Sequence, residues 1–178
     1  MIASSTFGQM LIPILAATIA WIVISFLAVL RSKNQTAERI PRGWFSRAAY
    51  AVFLAATLLL AVTSFGSIMR EGHMQHLALL AHLAAAGVFT FSMLIVAIVY
   101  LPMRWPLERY WWMERWSALL LITFALITAG SMFLGMMPLL DTEGLEFATV
   151  IHRYSGLGTV SLAAVHLYSV VVRWLGYR

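Results

Sequence analysis

The chain has 178 residues, of which 62% are hydrophobic and 11% are charged, and its mean hydropathy is +0.86. This balance excludes an ordinary soluble domain and indicates an integral membrane protein. The lack of cysteine excludes disulfides, thiolate-bound zinc or iron–sulfur clusters, and covalent attachment of c-type haem by this chain. The net charge of +5 does not indicate nucleic-acid binding, because the basic residues lie beside apolar stretches.

Five apolar stretches reach the roughly 20 residues that are needed to cross a hydrocarbon core. They predict an all-α integral membrane protein with five transmembrane helices. The first stretch has neither a basic start nor a small-residue cleavage site, so it is predicted to be a retained helix rather than a signal peptide. Only the last contains a charged residue, Arg153. The predicted spans are about Leu11–Leu30, Ala48–Met69, Leu77–Leu101, Trp116–Leu140 and Ala148–Val172.

The distribution of Lys and Arg among the connections predicts the orientation of these spans. One side of the predicted membrane carries 10 of the 12 basic residues and is expected to be cytoplasmic. The chain is therefore expected to be a multi-pass protein of the inner (cytoplasmic) membrane, with its N-terminus outside and its C-terminus in the cytoplasm. The ten residues are Arg31, Lys33, Arg39, Arg42, Arg47, Arg104, Arg109, Arg115, Arg173 and Arg178.

The stretch "IHRYSGLGTVSLAAVHLYSVVVRW", from Ile151 to Trp174, carries His152 and His166 fourteen residues apart. In a helix, fourteen residues return to within about 40° of the starting direction and climb about 21 Å. The two imidazoles therefore share a helix face near opposite leaflets. This separation suits two stacked haem groups, because neutral imidazole is a good axial ligand for haem iron. Gly156 and Gly158 would leave room for a macrocycle, or would equally permit close helix packing.

An axial pair requires a second histidine at a matching depth. His82 is the sixth residue of the third predicted span, His152 is the fifth residue of the fifth, and both spans begin on the outer side. We therefore expect His82 and His152 to hold an outer haem. The alternative is that each histidine makes only local hydrogen bonds inside the bundle. His73 and His76 are expected to be solvated at the membrane interface.

These motifs lie in a region, from about Arg47 to Trp174, that resembles the four-helix cytochrome b subunits of membrane-bound formate dehydrogenases, nickel-iron hydrogenases and thiosulfate reductases. The specific feature is a last core helix with two histidines fourteen apart, the second followed by an aromatic residue. The matching residues are His152, His166-Leu167-Tyr168, His82 at the start of the second core helix, and Thr128-Ala129-Gly130 with Pro138 in the preceding helix.

The resemblance implies that residues 47–178 form a four-helix cytochrome b-like bundle, and that residues 1–46 add an N-terminal transmembrane helix and a cytoplasmic linker. One position departs from the family. Its first core helix starts Arg-x-x-His-Trp, whereas this chain reads Arg47-Ala48-Ala49-Tyr50. The inner site therefore has two readings. Either it has lost its haem, leaving His166 as a relic or as a hydrogen-bonding residue near a quinone, or it holds a second haem. That haem would be bound by His166 alone, or by His166 with another ligand such as Tyr50 or a side chain of a partner.

The implied function is an electron relay between an outer-face redox subunit and the quinone pool. The cofactor is haem b, one or two per chain, and the partner is a cytochrome c, iron–sulfur, molybdenum or hydrogenase type of subunit. Arg70 and Arg153 are expected to pair with haem propionates, or with lipid phosphate. A quinone is expected between His166, the start of the second span and the loop from Arg104 to Arg115.

Two other functions fit the same sequence. A self-contained quinone-linked b-type reductase of a small oxidant, such as superoxide, would use the outer haem without a partner subunit. A haem-free membrane anchor of a larger complex would use no cofactor. The cost of leaving polar groups isolated in lipid argues against the anchor, because His82 and His152 are predicted to lie at equal depth.

Overall fold

The computed structural model describes residues 2–31, 43–100 and 112–175, which form five α-helices. All five are long and apolar enough to cross a membrane, and this confirms the predicted all-α membrane fold. A helix satisfies its own backbone hydrogen bonds, as a span through lipid requires. The helices are α1 (Ile2–Arg31), α2 (Trp44–Glu71), α3 (His76–Tyr100), α4 (Trp112–Met136) and α5 (Thr142–Trp174). Most of the predicted linker and of the Arg104–Arg115 loop lies outside the described residues.

The turn between α4 and α5 lies earlier in the chain than predicted. α4 ends at Met136, two residues before Pro138, which cannot continue a helix. Asp141 then caps α5, because its side chain accepts a hydrogen bond of 2.8 Å from the backbone N–H of Gly144. The prediction that α4 reaches Leu140 was therefore wrong.

Several charged residues that were predicted to lie in the connections fall inside the helices, and two of them pair with each other. α4 begins at Trp112, so that Glu114 falls in its first turn, and α5 continues to Trp174, so that Arg173 falls in its last turn. The expectation that Arg153 is the only charge in the spans was wrong, because Glu114 and Arg173 form a buried ion pair that the helices can accommodate.

The helices pack as two hairpins, α2 with α3 and α4 with α5, which contact each other less extensively. A central cluster nevertheless joins all four, and it includes the stacked rings of Phe53 and Phe89, with centroids 5.4 Å apart. Dispersion and burial at this cluster fix the arrangement of the four helices. Its buried members are Phe53, Ala56, Phe89, Met93, Val96, Leu121, Ala125 and Ala163.

α1 packs along the outside of α5. Phe7 contacts Tyr154 edge to face at 5.3 Å, and Trp21 contacts Tyr168 in the same way at 6.1 Å. Most of the other large apolar side chains of α1 are exposed, as expected for a helix that faces lipid. The helices alternate in direction. We call the end that carries the α2–α3 and α4–α5 turns the turn end, and the other the opposite end.

Candidate haem-binding site

His82 on α3 and His152 on α5 both lie toward the turn end of the bundle. Both are partly buried, and they are near enough for an electrostatic interaction. The structure therefore brings together the two histidines that the sequence paired. Since α5 begins at Thr142 rather than Ala148, its first turns extend past this level, and His152 lies deeper along its helix than the sequence predicted.

The imidazole of His152 is held by the backbone of α4. Its Nδ1 lies 3.0 Å from the carbonyl oxygen of Thr128. A carbonyl oxygen can only accept, so Nδ1 carries the hydrogen and donates it. In the neutral ring the lone pair is then on Nε2, which is the atom available to bind a metal.

The imidazole of His82 is held by a side chain of α2. Its Nδ1 lies 3.0 Å from Oγ1 of Thr63. The hydroxyl hydrogen of Thr63 is directed to the backbone carbonyls of Leu59 and Leu60, at 2.7 and 3.2 Å. Oγ1 therefore accepts the hydrogen bond from Nδ1, and His82 has the same tautomer as His152.

These donors fit the axial ligands of a b-type haem. The two neutral imidazoles come from different helix hairpins, and each has Nδ1 tethered and Nε2 as its lone-pair nitrogen. The metal-bound histidines of known proteins are oriented in this way by a partner on the second nitrogen. In residues 2–31, 43–100 and 112–175, no group of three or more acidic, cysteine or histidine side chains could hold a bare metal ion.

A cluster of hydroxyl groups supports the carbonyl that holds His152. Oγ1 of Thr128 lies 2.9 Å from Oγ of Ser155 and 3.2 Å from Oγ1 of Thr159, which joins α4 to α5. Ser131 also donates a hydrogen bond of 2.9 Å to the Thr128 carbonyl. The sequence analysis missed this cluster. Its signal was a group of small hydroxyl residues in otherwise apolar spans, where such side chains hydrogen-bond across helices.

The two glycines near His152 have different surroundings. A Cβ atom on Gly158 would lie 2.4 Å from Cδ1 of Phe124, which is a collision, whereas one on Gly156 would lie 3.8 Å from Cγ2 of Thr128. Of the two predicted roles, close helix packing is the role at Gly158, because the Phe124 ring of α4 rests directly on its backbone.

The two arginines expected at haem propionates both lie toward the turn end. Arg70 is exposed in the last turn of α2, and Arg153 is half-buried beside His152. Neither forms an ion pair with an acidic side chain in the described part of the chain. Their pairing with propionates stays a prediction. His73 and His76 are both exposed, and Nδ1 of His73 donates to the carbonyl of Glu71 at 2.9 Å.

His166 lies near the opposite end, is 8% exposed, and has a tether of the same kind. Its Nδ1 lies 3.0 Å from Oγ of Ser117, whose hydroxyl is directed to the Glu114 carbonyl at 3.1 Å. The ring of Tyr50 meets the imidazole edge to face, with centroids 5.9 Å apart. The structure therefore also brings together the two residues considered for an inner haem.

A buried ion pair lies beside this second histidine. Nη2 of Arg173 lies 3.0 Å from Oε1 of Glu114, and the Glu114 side chain is only 3% exposed. The pair joins the first turn of α4 to the last turn of α5. From the sequence, Glu114 was expected only as part of the loop near the quinone and Arg173 only in a connection, so their pairing was not predicted.

Comparison of the chain with models of protein families, with curated proteins and with solved structures finds no match. The resemblance to cytochrome b subunits therefore stays a prediction, and the site is defined by the geometry of its own side chains.

Proposed function

We propose that this chain is a membrane b-type cytochrome that relays electrons between a redox partner at the turn end and the quinone pool. The observation that carries the proposal is that His82 and His152 lie near each other at one end of the bundle, each with Nδ1 tethered to the helix that precedes its own. Haem b bound between them would supply a one-electron carrier within the membrane.

The chain's own residues would bind, orient and shield this group. Thr63 and the Thr128 carbonyl fix the two imidazole rings. The apolar helices α2 to α5 exclude water, which lowers the local dielectric around the site. Arg70 and Arg153 lie toward the same end of the bundle, where their guanidinium groups can pair with anionic propionates.

The distribution of basic residues between the two ends of the bundle orients the proposed relay in the membrane. The end with most of the basic residues is assigned to the cytoplasm, so the turn end faces outside. A cytochrome c, iron–sulfur, molybdenum or hydrogenase type of subunit would dock at the turn end and exchange electrons with the outer haem. Membrane lipid would surround the apolar outer surface.

We assign one haem to the chain, at the His82–His152 pair, and place the quinone near His166. Supporting this, the ring of Tyr50 meets the His166 imidazole edge to face, and the imidazole belongs to a polar cluster with Ser117 and the Glu114 carbonyl. Hydroxyl and imidazole groups of this kind can hydrogen-bond the carbonyl oxygens of a quinone.

The test is the haem content of purified histidine variants. His82→Ala and His152→Ala are each expected to abolish bound haem b, while the matched control His73→Ala, which removes an exposed histidine, keeps it. His166→Ala is also expected to keep it. Because an axial ligand is replaced by a cavity, haem b added together with imidazole should give His82→Ala and His152→Ala a low-spin haem spectrum. Normal haem content in His82→Ala or His152→Ala would rule out the assignment.

A further inference from the structure

We propose that Thr63 is a positioning residue for the haem ligand His82, and that its hydroxyl sets both the tautomer and the donor strength of that imidazole. The inference rests on the proposed haem site. It concerns a residue on α2 that makes no metal bond itself. The main evidence is the 3.0 Å contact between Thr63 Oγ1 and His82 Nδ1, which lie nineteen residues apart in the sequence.

The hydroxyl of Thr63 has two functions, which distinguishes it from that of Thr57 on the same helix. Thr57, which precedes Thr63 on α2, donates only to the Phe53 carbonyl at 2.8 Å, as threonines in helices commonly do. Thr63 makes the same type of bond to Leu59, and its oxygen also accepts from His82. One of the two lone pairs of Oγ1 therefore accepts the hydrogen of the histidine.

This arrangement selects one tautomer of His82. A neutral imidazole carries its hydrogen on either nitrogen, and an acceptor placed at Nδ1 favours the form with the lone pair on Nε2. The acceptor also limits rotation of the ring, because the hydrogen bond requires a nearly linear approach. His82 therefore presents the same nitrogen in one orientation before any metal arrives.

The two ligands of the site differ in how they are tethered. His152 donates to a backbone carbonyl, which no side-chain substitution removes, whereas the contact of His82 with the Thr63 hydroxyl can be removed by substitution, leaving the backbone of Leu60 beside the ring. An acceptor on Nδ1 makes a metal-bound imidazole more basic, so it strengthens the bond and favours the oxidised metal. Loss of the Thr63 acceptor should therefore weaken haem retention and raise the reduction potential.

The experiment compares Thr63→Val, Thr63→Ser and the control Thr57→Val as purified full-length proteins. Two quantities are measured: the rate of haem loss to excess apomyoglobin, and the midpoint potential of the bound haem. Thr63→Val is expected to lose haem about tenfold faster or more, within the range for partners of metal ligands, and to shift the potential upward. Thr63→Ser retains the hydroxyl and should behave as the unmodified chain, as should Thr57→Val.

Each outcome either supports or overturns the proposed role of the Thr63 hydroxyl at His82. If the unmodified chain binds haem and Thr63→Val matches it in both quantities, the tether is wrong while the proposed function stands. Equal haem loss in Thr57→Val would assign the effect to general packing and overturn the inference. An unmodified chain without haem would overturn the proposed function and the inference together. If Thr63→Val does not accumulate, Thr63→Ala replaces it, and the same comparisons with Thr63→Ser apply.

Discussion

Each histidine that lies inside the bundle is tethered through Nδ1 to the preceding helix of its own hairpin. In lipid an imidazole without a partner would be costly, and the three tethers remove this cost while leaving Nε2 as the lone-pair nitrogen at the outer pair. The hydrogen-bonded pairs are His82 with Thr63, His152 with the Thr128 carbonyl, and His166 with Ser117.

Substitution of Gly158 tests whether this glycine serves close helix packing. In Gly158→Ala the new methyl group would collide with the Phe124 ring, so the ring must move, and overpacking of this kind costs about 1–3 kcal/mol. The thermal unfolding midpoint in detergent should fall. Gly156→Ala is the control, since its methyl group would make only an ordinary contact with Thr128. Equal midpoints for the two variants would contradict this packing role.

The sequence predicted the paired histidines but not the residues that hold them. Spacing and depth identified His82 and His152, because a histidine in an apolar span is rare and its depth can be counted. Thr63 could not be identified in this way. Its hydroxyl donates a hydrogen bond to the Leu59 carbonyl, as any threonine in a helix can. Its contact with His82 depends on how α2 and α3 pack, which the sequence does not show.

The helices α4 and α5 contact each other more extensively than α2 and α3 do. The ion pair between Glu114 and Arg173 lies at the opposite end of this hairpin. The predicted spans stopped short of Glu114 and Arg173 because a charge in a window of apolar residues was taken to end a span. The two charges neutralise each other when the helices lie side by side. Pairing of this kind depends on tertiary contact, so hydropathy along one segment could not show it.

Removal of one charge of this ion pair is expected to destabilise the protein more than replacement of both charges. Glu114→Gln leaves the Arg173 charge without its carboxylate in a buried setting, and breaking one side of such a pair costs about 3–5 kcal/mol. The unfolding midpoint should therefore fall. The double variant Glu114→Gln/Arg173→Met should lie closer to the unmodified chain than Glu114→Gln does. Glu146→Gln, at an exposed position, is the control. A midpoint for Glu114→Gln equal to that of the control would count against the pair.

The whole molecule is a helical membrane protein whose class followed from composition and hydropathy. Five apolar stretches gave five helices, since only a helix satisfies the backbone of a single span in lipid. How those helices pack against one another was harder to predict from the sequence. That α1 packs on α5, with Phe7 against Tyr154 and Trp21 against Tyr168, depends on side-chain complementarity that no periodicity in α1 displays.

The most direct measurement is the amount of haem b per polypeptide in the purified membrane protein, free of any partner cytochrome. It uses the pyridine haemochrome spectrum against quantitative amino-acid analysis. One haem per chain is the predicted result, because His82 and His152 are the one pair of tethered histidines that lie near each other in the described residues. A value of zero would contradict the proposed function. A value of two would contradict the assignment of His166 to a polar cluster and would make it the ligand of an inner haem.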